Sequence, residues 1–152
     1  MSMAALSLDV PSCLIRCDID EVGILLRNLL HNALRYTSEG GHVLVRCGYE
    51  PATTPDAARA VFLEVLDDGP GVPEAEREVI FERFHRAVDT TVRGSGIGLS
   101  LVADIAQSHQ ASVRTGLGLD GQGLVVRVVF PPHVSSAHSP AFCRQAETPA
   151  GA

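Results

Sequence analysis

No apolar stretch in this chain runs unbroken for the ~20 residues that a bilayer crossing requires, because charges or glycines interrupt each one. The chain therefore reads as soluble. Its start, Met1 to Val10, has neither a basic flank nor a long apolar run, so neither a signal peptide nor an anchor is indicated. Basic residues are scarce: 12 Lys and Arg against 18 Asp and Glu leave a formal net charge of −6. That balance argues against a dedicated nucleic-acid surface, which needs clustered cations to neutralise phosphates. A small polyanion is not excluded, since a few local cations and backbone donors suffice for it. The four cysteines, Cys13, Cys17, Cys47 and Cys143, show no Cys-x-x-Cys spacing, and read as buried free thiols rather than metal ligands or a disulfide. Internal repeats are also lacking.

What the chain does contain is enough for one domain with a core: 152 residues, 45% of them hydrophobic and 20% charged. Residues 12–18 read as a short strand that places Cys13 and Cys17 on one face. The acidic residues from Asp18 to Glu21 then cap a helix running to about Tyr36, with Val22, Leu25, Leu26, Leu29, Leu30 and Ala33 on its apolar face. Alternation predicts strands at His42 to Tyr49 and Ala60 to Leu66, on either side of a Pro- and Thr-rich loop. A short helix is expected from Pro73 to Phe81, and a mobile loop from Phe84 to Gly96. A helix over Ile97 to His109 precedes strands at Ser112 to Gly116 and Gly123 to Phe130, joined by a hairpin around Asp120-Gly121. Residues 1–10 read as a remnant or linker, 11–132 as the domain, and 133–152 as a disordered tail.

Three pieces carry chemistry. Asn28, Asn32 and Arg35 share a narrow arc beside the apolar face of the first helix. Such an arc serves either as the polar boundary of an amphipathic helix or as a site where an amide oxygen meets a metal ion and a guanidinium meets phosphate. Asp67-Asp68-Gly69-Pro70-Gly71 ends an apolar strand. It is either a surface turn or a place where a carboxylate accepts a hydrogen bond from a purine amino group, with glycines letting the backbone approach the ring. Gly94-Ser95-Gly96-Ile97-Gly98-Leu99 opens a helix and differs from both the dinucleotide fingerprint and the P-loop. It is either a flexible linker or a set of amides and a helix dipole offered to phosphate.

In that order the pieces resemble the ATP-binding catalytic domain of sensor histidine kinases, in the superfamily of gyrase, the ninety-kilodalton heat-shock chaperone and mismatch-repair ATPases. The resemblance covers about Pro11 to Pro132 and rests on an N box (Arg27 to Thr37), a G1 box (Asp67 to Pro73), an F box (Ile80 to Arg86) and a G2 box (Gly94 to Leu99). It implies an α+β Bergerat fold, a two-layer α/β sandwich with a mixed sheet of about five strands covered by three helices and a flexible ATP lid. By this resemblance Asn32 ligates Mg²⁺, Asn28 supports metal or phosphate, Arg35 contacts phosphate and Tyr36 lies against the nucleotide. Asp67 binds the adenine amino group, while Gly69, Gly71 and Val72 shape that wall. Gly94, Ser95, Gly96, Ile97, Gly98 and Leu99 meet the phosphates; Phe81, Phe84 and Arg86 belong to the lid and its hinge, with Arg86 a further phosphate partner.

Asn28 stands where hydrolytic members and related serine kinases resemble one another in carrying glutamate, and a carboxamide is too weakly basic to activate water or a hydroxyl. The implied activity is thus protein histidine kinase, with Mg-ATP as donor and transfer of its γ-phosphoryl group to a histidine on a separate dimerisation and phosphoacceptor domain. None of His31, His42, His85, His109, His133 or His138 has the expected acceptor context, a helical His followed by an acid. The chain is expected to be a piece of a longer kinase or a truncated product. It is also expected to be monomeric and cytoplasmic, to reach a response regulator only indirectly, and to derive from an inner-membrane parent. The competing readings are an ATP-binding regulatory module without transfer activity and an anti-sigma-type serine kinase.

Overall fold

Asp18 starts the first helix in the way its side chain allows. Its Oδ1 accepts the backbone N–H groups of Asp20 (3.0 Å) and Glu21 (3.1 Å), satisfying two donors that a helix start leaves open. In the computed structural model, which describes residues 4–11, 13–52, 54–81 and 98–132, helix α1 then runs over Ile19–Tyr36. Asp20 and Glu21 in its first turn and Arg35 in its last complement the helix dipole. Thr37 stops it by leaving the helical backbone region while its N–H (3.0 Å) and hydroxyl (2.7 Å) both donate to the Ala33 carbonyl. Leu25, Leu29 and Ala33 are buried at the centre of the expected apolar face, flanked by half-buried Val22, Leu26 and Leu30.

Five strands form one mixed sheet: β1 (Ala5–Asp9), β2 (His42–Tyr49), β3 (Val61–Asp67), β4 (Ser112–Leu117) and β5 (Leu124–Phe130), in the order β1-β2-β3-β5-β4. β1 is parallel to β2; every other pairing is antiparallel. Helix α2 (Gly98–Ser108) makes the crossover between β3 and the β4–β5 hairpin. Both helices lie on one face, and the core between the layers centres on Leu25, Val43, Val102 and Val128, all fully buried. This is the α+β two-layer architecture that the resemblance implies.

The first strand lies elsewhere than expected. Residues 13–18 are irregular, and the strand forms at Ala5–Asp9, inside the stretch read as a remnant or linker. The reason lies in the partners of the backbone. The N–H of Leu14 donates to the Tyr49 hydroxyl (3.4 Å) and that of Asp18 to His109 Nε2 (3.0 Å), so side chains take the bonds that a neighbouring strand would supply. A second correction concerns Pro73 to Phe81, which forms two 3₁₀ turns, Glu74–Glu76 and Val79–Phe81, rather than one short helix. The bonds there are of the i to i+3 kind, Glu76 N–H to the Pro73 carbonyl (2.8 Å) and Arg77 N–H to that of Glu74 (3.3 Å). Cys13, Cys17 and Cys47 are free, as expected, but half-buried rather than buried. Two α-helices occur among the described residues. The expected lid, the disordered tail and Cys143 lie outside the described residues.

The sheet face away from the helices carries a row of charge. Asp9, Arg46, Glu64, Arg127 and Arg114 stand in register across β1, β2, β3, β5 and β4. Glu64 is only 5% exposed and meets Arg46 (3.3 Å) and Arg127 (3.6 Å), while Arg46 also reaches Asp9 (3.7 Å). The Arg127 guanidinium lies 3.8 Å from the centre of the Phe62 ring and covers it.

Candidate functional site

Asp67 is the last residue of β3 and, at 4% exposure, one of the few buried charged groups. Its Oδ1 accepts the N–H of Gly69 (3.0 Å) and that of Leu124 at the start of β5 (3.2 Å). Among the described residues, no donor bonds to its second oxygen. Burial pushes the carboxyl above its usual range; the two N–H donors oppose this, and neighbouring Asp68 adds to it. One acceptor is thus fixed by the backbone and the other left for a donor from outside, as recognition of an amino group requires.

The loop after Asp67 is held by main chain on both sides. A side chain at Gly69 would stand 2.6 Å from the Tyr36 carbonyl at the end of α1. Gly71 has φ +75°, and a Cβ there would meet the Gly123 carbonyl at 2.8 Å. A Cβ at Gly118 or Gly123, on either side of the β4–β5 turn, would collide with the Asp67 carbonyl oxygen. Arg77 Nε donates to the Val72 carbonyl (3.1 Å) and braces the same loop from below, with Val72 packed against the core. Neither Gly118, Gly123 nor Arg77 was singled out from the sequence. Their role depends on contacts across distant segments that no local pattern encodes, although the run Gly116 to Gly123 marked that turn as glycine-rich.

Asp68 faces the other way and ties down the α1–β2 turn. Both its oxygens accept the His42 N–H at 3.0 Å, and Oδ2 lies 3.2 Å from His42 Nδ1. The backbone bond from His42, helped by that imidazole, holds its carboxyl below the usual range.

Across from this loop, α1 presents its polar arc. Asn28 Nδ2 donates to the Ile24 carbonyl (2.9 Å), and Asn28 Oδ1 lies 3.4 Å from where a Cβ on Gly98 would stand. The carboxamide oxygen is therefore turned toward the first residue of α2, where the positive end of a helix dipole lies. Asn32 and Tyr36 follow on α1, half-buried, and Arg35 is exposed. Leu99 packs onto the core. The structure thus brings Asn28 to Gly98, and Tyr36 and Asp67 to Gly69. Phe84, Arg86, Gly94, Ser95, Gly96 and Ile97 lie outside the described residues.

The sequence pattern of the histidine kinase-, DNA gyrase B- and HSP90-like ATPases matches residues 17–134. The chain is 40% identical over 117 residues to the sensor protein kinase PmrB of Pseudomonas aeruginosa, covering 76% of this chain and 23% of that protein. It is 28% identical over 120 residues to the sensor histidine kinase WalK of Bacillus subtilis, covering 77% of this chain and 19% of that protein. The chain therefore spans less than a quarter of the length of either relative. Among solved structures it superimposes on the mycobacterial sensor histidine kinase MprB with a TM-score of 0.75 and 28% identity, covering 86% of this chain and 84% of that one. On the catalytic domain of histidine kinase ThkA the TM-score is 0.66 at 25% identity, covering 85% and 80%. The chain therefore belongs to the histidine kinase-, DNA gyrase B- and HSP90-like ATPase family, as an ATP-binding catalytic domain of the sensor histidine kinase kind.

Proposed function

We propose that the chain binds Mg-ATP between α1 and the Asp67–Gly71 loop and passes the γ-phosphoryl group to a histidine on a separate dimerisation and phosphoacceptor domain. The observation that carries this is Asp67, with one oxygen held by two backbone donors and the other unclaimed by the described residues. In this reading Asp67 accepts the adenine amino group, Gly69, Gly71 and Val72 form the wall beneath the ring, and Tyr36 lies against the nucleotide. Arg35 and Arg86 meet the phosphates, and Phe84 belongs to the lid. Gly94, Ser95, Gly96, Ile97, Gly98 and Leu99 offer backbone N–H groups and the start of α2 to the same phosphates. The donors suit a hard cation shared with phosphate oxygens: Asn28 Oδ1 is turned away from its own helix, and Asn32 stands one turn on. Mg²⁺ held there would neutralise charge on the phosphates. A carboxamide at Asn28 supplies no general base, which fits an imidazole acceptor better than water or a serine hydroxyl.

The partners in this proposal are the phosphoacceptor domain and, through it, a response regulator. No helix among the described residues is long and apolar enough to cross a membrane. We place the domain in the cytoplasm as a monomer, and any inner-membrane anchor in the parent kinase. Calorimetric titration of ATP with and without Mg²⁺ tests the site: Mg-dependent binding is expected, and its absence in folded protein would sink the assignment. Incubation with labelled ATP and a histidine-kinase acceptor domain tests the transfer. An acid-labile phosphohistidine on the acceptor is expected, whereas binding without transfer would leave a regulatory module, and label on serine would point to a serine kinase.

A further inference from the structure

The coil before α1 and the far half of β2 bring two thiols together well away from Asp67. Cys13 Sγ lies 3.5 Å from Cys47 Sγ, although 34 positions separate the two residues in sequence. The geometry is directional: the Cys13 thiol donates to Cys47 Sγ, and the Cys47 thiol donates onward to the Pro11 carbonyl at 3.4 Å. Both residues are half-buried and free. Only about 1.5 Å of closer approach separates this pair from the ~2.0 Å of a disulfide.

We propose that Cys13 and Cys47 are a modification site, a dithiol that a low-molecular-weight disulfide such as oxidised glutathione converts to an intramolecular bridge. The Cys13 sulfur, once deprotonated, attacks one sulfur of the small disulfide; that S–S bond breaks and the released thiolate takes up a proton. The Cys47 sulfur then loses its proton and attacks Cys13 Sγ, which expels the second small thiol. Two protein thiols are oxidised and one small disulfide is reduced to two thiols, so the exchange balances. Burial and the adjacent Cys13 push the Cys47 thiol up to about 11, consistent with Cys13 reacting first and Cys47 resolving.

The bridge would close a loop containing all of α1, hence Asn28, Asn32, Arg35 and Tyr36. In the reduced form the coil is held to β2 by weak contacts, the two thiol bonds and the 3.4 Å bond from Leu14 N–H to the Tyr49 hydroxyl. A covalent tie there restrains the unfolded chain more than it alters the native one. The inference is independent of the nucleotide reading, because nothing in it requires ATP.

The test uses the full chain carrying Cys17→Ser and Cys143→Ser, treated with oxidised glutathione and followed by intact mass, peptide mapping without reduction, and thermal unfolding. Expected are a monomer that has lost two hydrogens, a peptide linking Cys13 to Cys47, and an unfolding midpoint raised by roughly 5–15 °C and restored by reductant. Adding Cys47→Ser should stop the reaction at a glutathione adduct on Cys13 with no rise in midpoint. A stable adduct on the parent chain, or a bridge between two chains, would overturn the proposal.

Discussion

At the scale of single residues, Asp67 and Asp68 are neighbours with opposite titration behaviour. The folded state holds the Asp67 proton to higher pH than the unfolded state does, so its contribution to stability falls as pH rises above the usual carboxylate range. Asp68 behaves in reverse: its bonds to His42 stabilise above the usual range and are lost as pH falls through its lowered value. Asp67→Asn should therefore unfold at an equal or higher temperature than the parent at pH 7, with the gap closing in acid. An amide can still accept from Gly69 and Leu124, yet it turns an NH₂ toward the incoming amino group, so ATP affinity should drop about 10- to 100-fold. Titration calorimetry and thermal unfolding on the same variant separate the two effects. Asp68→Asn should lose the acid-sensitive part of its stability while keeping most of its affinity, as thermal unfolding between pH 3 and 7 would show; solvent around the exposed His42 keeps the effect below about 1 kcal/mol.

At the scale of elements, periodicity and capping made α1 legible. Asp18, the acidic first turn and the Leu25-Leu29-Ala33 stripe each encode their own role locally. β1 was hidden because Cys13, Ile15 and Cys17 alternate as well as Leu6 and Leu8 do, and only the partners of the Leu14 and Asp18 N–H groups decide between them. The candidate site divided in the same way. The strand-end Asp67 and the α1 amides could be read from order and spacing, whereas Gly118 and Gly123 could not, since their constraint is a carbonyl some fifty residues earlier in sequence. Two predictions belong here. Asp18→Ala should cost about 1 kcal/mol in denaturant unfolding through the lost cap. Glu64→Gln should cost about 1–3 kcal/mol, because it removes the carboxylate shared by Arg46 and Arg127 in the middle of the sheet, leaving Arg46 only Asp9 (3.7 Å) and Arg127 only Glu50 (3.4 Å) among the described residues. Solvent access to both arginines favours the lower end of that range, and added salt should narrow the difference from the parent.

At the scale of the whole molecule, two layers meet along a single core, and the proposed site lies along α1, which reaches the start of α2 at Asn28 and the end of β3 at Tyr36. Ligand binding there couples to global stability by mass action, so Mg-ATP at 100 times its dissociation constant should add about 2.7 kcal/mol to unfolding. A chelator should remove most of that gain, measured as the nucleotide-dependent shift in unfolding midpoint with and without EDTA. The wall beside Asp67 has a consequence of another kind. It is peptide backbone against peptide backbone, the Tyr36 carbonyl against Gly69, the Gly123 carbonyl against Gly71, and the Asp67 carbonyl against Gly118 and Gly123. Where Gly69 and Gly71 line the proposed site no rotamer can swing aside, so purine analogues enlarged toward those two residues should be refused by stiffness rather than by charge, and room could be gained only at Val72 or Tyr36.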